Sequence, residues 1–493
     1  MNREEADAPL PLAQAGAHMQ PVHAASKDGG STQLGDWDKR EAVVQMEAST
    51  TSGADLELTV LGSGSCYPSP WRGAACLALR VLSSYWLFDV GEGSQVQLQR
   101  CSVKPSRIDR IFVTHAHGDH CFGLPGLLCL IARGREEEQL PPLQVYGPQG
   151  LRTFLRVALR FSGTRLVPKY IVHELVDIPY LHHNKALPEL PASPPVARHS
   201  AYGEQPGGRS ISPDADGTWT LFDEAFGDSG RGGEGRISVR AAPVVHTART
   251  VGYAVTEADK PGRLNPEAVL PLLEANRDAL REEWGVRDPR SLLKRIKALG
   301  AGERLELPDG SVIRSEEALG EGRTGRKLVI LGDCSDASAV LAIGEGADVL
   351  VHEATNAYVP LLGDKGGEVR LERETRSHGH STPRMAGRAA ASFGARALLL
   401  THFSQRYHPA RRDVMRSIEG VAAQHSGLPL DRVVAAWDGL VLPIWQADRN
   451  KPLIEQPPLA PLDYAERARL TKPNRGTKGA ARRAAEGAAR RAA

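Results

Sequence analysis

The sequence predicts an α/β protein, and three observations carry that reading. Short apolar runs at 56–61, 76–82, 85–89 and 110–114 make a β-rich opening. A stretch at 147–161 reads as a helix, with Gly147-Pro148 before it and Gly163 after it. Strands resume at 237–245 and 251–256, and a second α/β half follows with runs at 327–332, 348–352, 396–401, 433–436 and 439–442. Periodicity supports no narrower class.

Around these elements the composition shifts. Residues 1–54 hold Ala, Gly, Ser, Gln and charges without a period and are expected to be disordered. Glu4, Glu5 and Asp7 argue against an organellar transit peptide, which is usually poor in acids. The folded domain is expected over 55–445. Within it, 184–235 turns to Pro, Gly, Ser and Asp and is expected to be a flexible insertion, with one island, Thr218-Trp219-Thr220-Leu221-Phe222, that could pack as a strand. Residues 446–493 read as a basic disordered tail. Its last part, 471–493, carries seven Lys or Arg against one Glu, which suits an RNA contact, a nuclear address or a merely biased tail.

At 493 residues and 41% hydrophobic content the chain can bury a sizeable core. It has no run of 18 apolar residues, so no transmembrane helix and no membrane partner is expected. A net charge of +2 sets up no global field toward nucleic acid, so RNA affinity would have to come from local patches. The six cysteines (Cys66, Cys76, Cys101, Cys121, Cys129 and Cys334) are scattered without a CxxC, and no secretory signal is present. They read as reduced thiols, which suits a cytoplasmic or nuclear location.

The densest chemistry is His115-Ala116-His117-Gly118-Asp119-His120, directly after Ile111-Phe112-Val113-Thr114. Three imidazoles and a carboxylate in six positions, in a chain with 16 histidines, are hard to explain as packing. They are the donors that Zn²⁺ takes at about 2.0–2.2 Å, and they leave Mn²⁺ and Fe²⁺ open. On a loop leaving a strand, His115 and His117 can face one ion while Asp119 and His120 face a second. Four residues cannot close two sites. Further donors belong at strand ends, which are rigid and open onto a cleft. His246 after Val244-Val245, Asp333 after Leu328–Gly332 and His402 after Leu398–Thr401 fit that description. A carboxylate such as Asp333 can bridge two cations. Alone, each of the three reads more readily as a cap, a turn former or a satisfied polar group. Their weight comes from a cluster that needs partners.

The HxHxDH pattern of 115–120 resembles the signature of the metallo-β-lactamase superfamily. More narrowly, the chain resembles the short form of tRNase Z, the zinc phosphodiesterases that process tRNA 3′ ends. The residues that carry this are Leu61-Gly62-Ser63-Gly64-Ser65, Phe88-Asp89-Val90-Gly91-Glu92-Gly93, Phe122-Gly123-Leu124-Pro125-Gly126-Leu127-Leu128, Gly332-Asp333-Cys334, His352-Glu353-Ala354-Thr355, His380-Ser381-Thr382 and Thr401-His402-Phe403-Ser404-Gln405-Arg406-Tyr407. The resemblance implies a four-layer αββα sandwich with a protruding arm. It implies two Zn²⁺ per subunit, one on His115, His117 and His246, the other on Asp119, His120 and His402, with Asp333 between them. Asp119 would also accept the proton of the nucleophilic water. His380 would be the acid for the departing oxygen, with Glu353 as the plausible partner that keeps it charged and oriented. His378 reads as an exposed or supporting histidine. Asp89 could orient a ligand histidine or simply form a turn.

Precursor tRNA is the implied substrate and a homodimer the implied assembly. The interval 258–326 is the implied tRNA-gripping arm, in which Arg290, Lys294, Arg295 and Lys297 could contact phosphate or line a solvated helix. The usual Gly-Pro element of the arm is replaced here by Gly285-Val286-Arg287-Asp288-Pro289-Arg290, so the arm could be folded or aimed differently. Two other readings use the same residues: another dinuclear hydrolase on this scaffold (a thioesterase, sulfatase or small phosphodiesterase), or a non-catalytic RNA-binding protein.

Overall fold

Side chains alternate across a strand, and in the first apolar runs both sets are buried. The computed structural model describes residues 56–445 apart from 139, 186, 187, 189, 227–234, 260, 261, 263, 301, 321 and 323. The segments 1–54 and 446–493 expected to be disordered lie outside the described residues. The chain opens with β1 (Leu56–Gly62), β2 (Cys76–Val81), β3 (Ser84–Phe88) and β4 (Ile108–Phe112). Leu77, Leu79, Trp86, Phe88 and Phe112 point into one core, whereas Cys76, Ala78, Leu87 and Ile111 point into another. A sheet covered on both faces needs continuous apolar runs, as these are.

The strands continue with β5 (Leu143–Pro148), β6 (Tyr170–Leu175), β7 (Ser210–Ile211), β8 (Trp219–Phe226), β9 (Gly235–Val244) and β10 (Thr250–Glu257). After a hairpin of β11 (Arg304–Glu306) and β12 (Val312–Arg314) come β13 (Lys327–Ile330), β14 (Val349–Glu353), β15 (Leu398–Thr401), β16 (Val433–Ala435) and β17 (Val441–Pro443). They pair as an eight-stranded sheet, β17-β1-β2-β3-β4-β5-β6-β7, and a seven-stranded sheet, β16-β15-β14-β13-β10-β9-β8. Trp86, Phe88 and Phe112 of the first sheet share a core with Trp219, Val239 and Tyr253 of the second. Helices Leu124–Glu138 and Leu151–Phe161 cover the outer face of the first sheet through Leu127, Ile131 and Leu155. Helices Pro383–Ser392 and Arg412–Ser426 pack on the second through Ala386, Ala390, Val414 and Ile418. The layers are αββα.

One rim of the sandwich collects the strand ends. β3 and β4 are parallel, as are β13, β14 and β15, and β9 runs in the same sense as β13 because both are antiparallel to β10. Asp89, the 115–120 loop, His246, Asp333, Glu353 and His402 therefore all sit where these strands finish. The two sheets are joined at this rim by Tyr253, whose hydroxyl donates to the Val113 carbonyl at 2.7 Å.

Three expectations change. The helix expected over 147–161 starts at Leu151, because Gly147-Pro148 completes β5 and Gly150, with φ 97°, turns the chain. The insertion 184–235 is anchored over its described stretch 204–226, where the expected island at 218–222 does pack as a strand. Ser210–Ile211 joins the first sheet, and Trp219–Phe226 is a full edge strand of the second. Its anchors are the Arg156–Glu204 ion pair and buried Trp219, whose indole N–H donates to the Val176 carbonyl of the facing sheet at 3.1 Å. A Gly- and Pro-rich composition signals irregular backbone, and here that backbone is packed. Third, the basic stretch of the arm is a 3₁₀ turn, Pro289–Leu292, followed by a short helix, Leu293–Lys297. The arm carries its own core of Val269, Leu273, Leu280, Ile296, Leu305 and Ile313. Its base closes where Leu264 bridges to Leu319.

Trp219 spans both sheets. Trp219→Ala is expected to cost about 3–5 kcal/mol, read as a lowered urea midpoint with an unchanged slope. An unchanged midpoint would return this segment to a loose insertion.

Candidate metal centre

The 115–120 loop is shaped by what precedes it. Asp89 follows β3 in a left-handed conformation, with φ 59°. Its carboxylate accepts from the Thr114 N–H at 2.7 Å and the Thr114 hydroxyl at 2.9 Å, and meets His120 Nδ1 at 2.7 Å. This settles Asp89 as a support for a histidine, beyond a simple turn. The two loops touch so closely that glycine is required: a Cβ on Gly91 would lie 2.2 Å from the Asp119 carbonyl oxygen.

All seven sequence-selected donors converge. His117 Nδ1 lies 3.1 Å from His115 Nε2 and 3.2 Å from His246 Nε2. His402 Nε2 lies 3.2 Å from His120 Nε2 and 3.3 Å from Asp119 Oδ2. Asp333 Oδ2 stands between the two sets, 3.3 Å from His120 Nε2 and 3.9 Å from both His115 Nε2 and His246 Nε2. The sets His115–His117–His246 and Asp119–His120–Asp333–His402 each gather their donor atoms closely enough for one ion. Ligands about 2.0–2.2 Å from a tetrahedral ion are about 3.3 Å apart, so these separations fit two divalent cations.

Electrostatics agree. Burial holds His115 well below the usual imidazole pKa, with the neighbouring His120, His246 and His117 adding to the effect. Burial likewise lowers His117, and takes His246 down to about 4. Neutral rings have free lone pairs at neutral pH. Burial works against an ionised Asp333, but His402 and His120 outweigh it and hold the carboxyl well below its ordinary range. His120 is raised: burial opposes its charge, and Asp333 and Asp89 prevail. A cation binding there displaces that proton.

The outward nitrogens of His115, His246 and His402 are fixed by further partners, which sets the tautomer each of these rings presents. His246 Nδ1–H donates to the Gly379 carbonyl at 2.7 Å. Gly379 has φ 78°, and a Cβ on it would sit 2.8 Å from that nitrogen. Thr114 and Thr355 hydroxyls lie 3.0 Å from His115 Nδ1 and His402 Nδ1. The Cys66 N–H donates to Asp119 Oδ2 at 2.6 Å.

Beside this set stands an ion pair. His380 Nδ1 lies 3.1 Å from Glu353 Oε1 and 3.8 Å from Asp333 Oδ2, with its side chain still about one-fifth exposed. Burial lowers His380, but the Glu353 charge and hydrogen bond raise it, to about 9. Glu353 also accepts from the Cys334 and Ser381 N–H groups at 2.7 and 3.0 Å, and from Thr355. His378 is exposed, and Cys334 is buried with its thiol raised by burial, so neither belongs to the donor set.

Sequence reading missed Thr114, Thr355, Gly379 and the Cys66 amide. The threonines carry a weak signal, since each belongs to a motif already quoted. The Cys66 loop carries none. It is pinned by fully buried Arg72, which donates to Ser63 Oγ and the Ala436 carbonyl, and by Asp438, which accepts from Ser63 and Gln97. These partners are hundreds of residues apart. The arm residues Arg290, Lys294, Arg295 and Lys297 stand outside the centre, all exposed.

An αββα sandwich with this rim is a hydrolase scaffold of the metallo-β-lactamase class. The family described as anti-Pycsar protein Apyc1 matches residues 56–150. Zinc phosphodiesterase ELAC protein 1 of Homo sapiens is 36% identical over 402 residues, covering 79% of this chain and 98% of that protein. Ribonuclease Z of Listeria monocytogenes is 32% identical over 356 residues, covering 71% and 90%. The crystal structure of the short form of human tRNase Z, ELAC1, is 29% identical with a TM-score of 0.47, covering 78% and 98%. The chain belongs to the family of the zinc phosphodiesterase ELAC protein 1, the short-form tRNase Z family.

Removing one donor should open one site. His117→Ala is expected to lower bound metal from about two ions per chain toward one, and Asp89→Asn to weaken affinity about 10–100-fold, both by elemental analysis after dialysis. Full metal content in both variants would disprove the ligand assignment.

Proposed function

We propose that this chain is a metal-dependent endoribonuclease that removes the 3′ trailer from precursor tRNA and leaves a 3′-hydroxyl on the tRNA. The observation that supports this most is a single constellation, two donor sets sharing Asp333 with the His380–Glu353 pair 3.8 Å away. His115, His117 and His246 would hold one Zn²⁺, and Asp119, His120 and His402 the other, with Asp333 common to both. Bound Zn²⁺ would supply a water acidified toward neutral pH and positive charge beside the scissile phosphate.

The remaining work falls to side chains. Asp119 accepts the proton of the attacking water, its carboxylate held in place by the Cys66 amide. His380 stores a proton at neutral pH and gives it to the departing ribose 3′-oxygen, a contribution of about 10²–10⁴-fold. Glu353 keeps that imidazole charged and aimed. Arg290, Lys294, Arg295 and Lys297 meet tRNA phosphates from the arm. The arm has a core independent of the sandwich, which supports a separate part in substrate grip.

The assembly we infer is a homodimer. Helix Leu151–Phe161 leaves Val157 60% and Phe161 93% exposed, and its Phe154 ring lies 6.3 Å from that of Phe122, itself 63% exposed, an apolar stripe that a second copy would cover. Light scattering should report a dimer for the parent and a monomer for Phe161→Glu, and equal masses would refute this surface. The location we infer is the cytoplasm, the nucleus or both. Six free thiols support a reducing compartment, and no described helix is long and apolar enough to cross a membrane.

One labelled precursor tRNA tests the enzyme reading. His117→Ala should be inactive. His380→Ala should keep its metal and lose about 10²–10⁴-fold in rate, yet still cleave bis-p-nitrophenyl phosphate, whose leaving group needs no proton. Deleting 262–322 should abolish tRNA cleavage and spare the small ester. That deletion must leave Arg326, whose guanidinium is buried against Glu257 and donates to the Ile444 carbonyl at 2.7 Å. Full tRNA cleavage by the arm deletion would overturn the arm's part in substrate grip, whereas ester hydrolysis without any tRNA cleavage by the parent would favour a different hydrolase.

A further inference from the structure

Residues 356–379 leave the catalytic centre at Thr355 and return to it at His380. Thr355 bonds to Glu353 and to His402, and His380 pairs with Glu353, so both ends of the excursion are tied to the reacting groups. Its main element is helix Glu368–Ser377. Charge is sorted by sign around it. Glu368 and Glu372 turn toward helix Pro383–Ser392, where Arg384 and Arg388 meet them, Arg388 at 3.2 Å from Glu372. Arg370, Arg373 and Arg376 recur every three residues and are exposed, with Lys365 in the loop before them. Arg376 lies 3.6 Å from Asp336, a solvent-exposed pair worth little. Arg370 and Arg373 make no ion pair among the described residues. Glu374 is the one exposed acid between Arg370 and Arg376.

From this placement we propose that Arg370, Arg373 and Arg376 form a binding track for the RNA phosphates just 5′ of the scissile bond, on the segment that departs with the 3′-hydroxyl. The inference rests on the endoribonuclease reading above. The side of the bond follows from chemistry. His380 gives its proton to the departing 3′-oxygen, and the helix runs through His378-Gly379 directly into His380. It therefore flanks the leaving segment, which is the acceptor strand of the tRNA, and lies apart from the trailer that keeps the phosphate. A row of guanidiniums so lightly paired with acids suits a polyanion. Each phosphate that such a row neutralises steepens the salt dependence of binding by about 0.9 in log–log slope.

The test uses the full-length metal-loaded enzyme, precursor tRNAs with trailers of one and of twenty nucleotides, and the cleaved tRNA as inhibitor. Arg370→Glu with Arg373→Glu should raise KM about tenfold or more at moderate salt, equally for both trailers. It should weaken product inhibition by the same factor and reduce the salt slope by about 2. Glu374→Lys should lower KM severalfold. Hydrolysis of bis-p-nitrophenyl phosphate should be unchanged in all variants, which separates a failed track from a failed centre. Unchanged KM for tRNA, or a loss confined to the long trailer, would overturn the proposal. If the parent cleaves the ester but no precursor tRNA, the endoribonuclease reading falls and the track with it.

Discussion

A buried carboxylate shared by two groups of lone pairs governs this structure. Asp333 is enclosed, and His115 and His120 from the loop after β4 and His246 from the end of β9 reach it within 3.9 Å. Ring nitrogens 3.1–3.2 Å apart repel when nothing positive lies between them. The sandwich can hold such a set because the outward nitrogens of His115, His120, His246 and His402 are tied to rigid partners: the Asp89 carboxylate, the Gly379 carbonyl or a threonine hydroxyl. Rigidity of the second layer makes the first layer possible.

The backbone bears part of the strain. Asp89, His402 and Cys66 are non-glycine residues with positive φ, at 59°, 56° and 72°, and all three touch the centre. Such conformations cost about 1–3 kcal/mol each and persist only where surroundings dictate them. Here the dictating forces are cross-sheet links. The loop after β1 and the loop after β15 exchange backbone hydrogen bonds between Ser63, Ser65 and Phe403, and buried Arg72 locks the Cys66 loop beneath them.

In the proposed reading, chemistry and substrate grip occupy different parts of the molecule. The centre depends on the packed sandwich, whereas the arm folds on its own small core and the 356–379 excursion stands on the rim. The Glu353–His380 pair is the joint between them. Glu353 belongs to the end of β14, His380 to the return from the excursion, and a charged imidazole between them faces both Asp333 and solvent. On the proposed track, a change in the exposed arginines of the excursion would thus alter binding of the departing RNA without touching the donors.

The sequence by itself determined the donor types, the strand-end positions that hold them and the α/β class. Those features are local: an apolar run followed by His or Asp, and HxHxDH within six residues. It misplaced the helix start at Leu151 because Gly147-Pro148 can end a strand as well as precede a helix. Within 184–235 it picked out the island at 218–222 that does form a strand, but it misjudged the stretch before it, because composition reports on regular hydrogen bonding and is silent about packing. Tertiary structure alone decided that Thr355 and Gly379 orient His402 and His246, that the Cys66 amide holds Asp119, and that the arginines of 370–376 face outward. These depend on separations in space between residues far apart along the chain, which only the closing of one sheet upon the other can set.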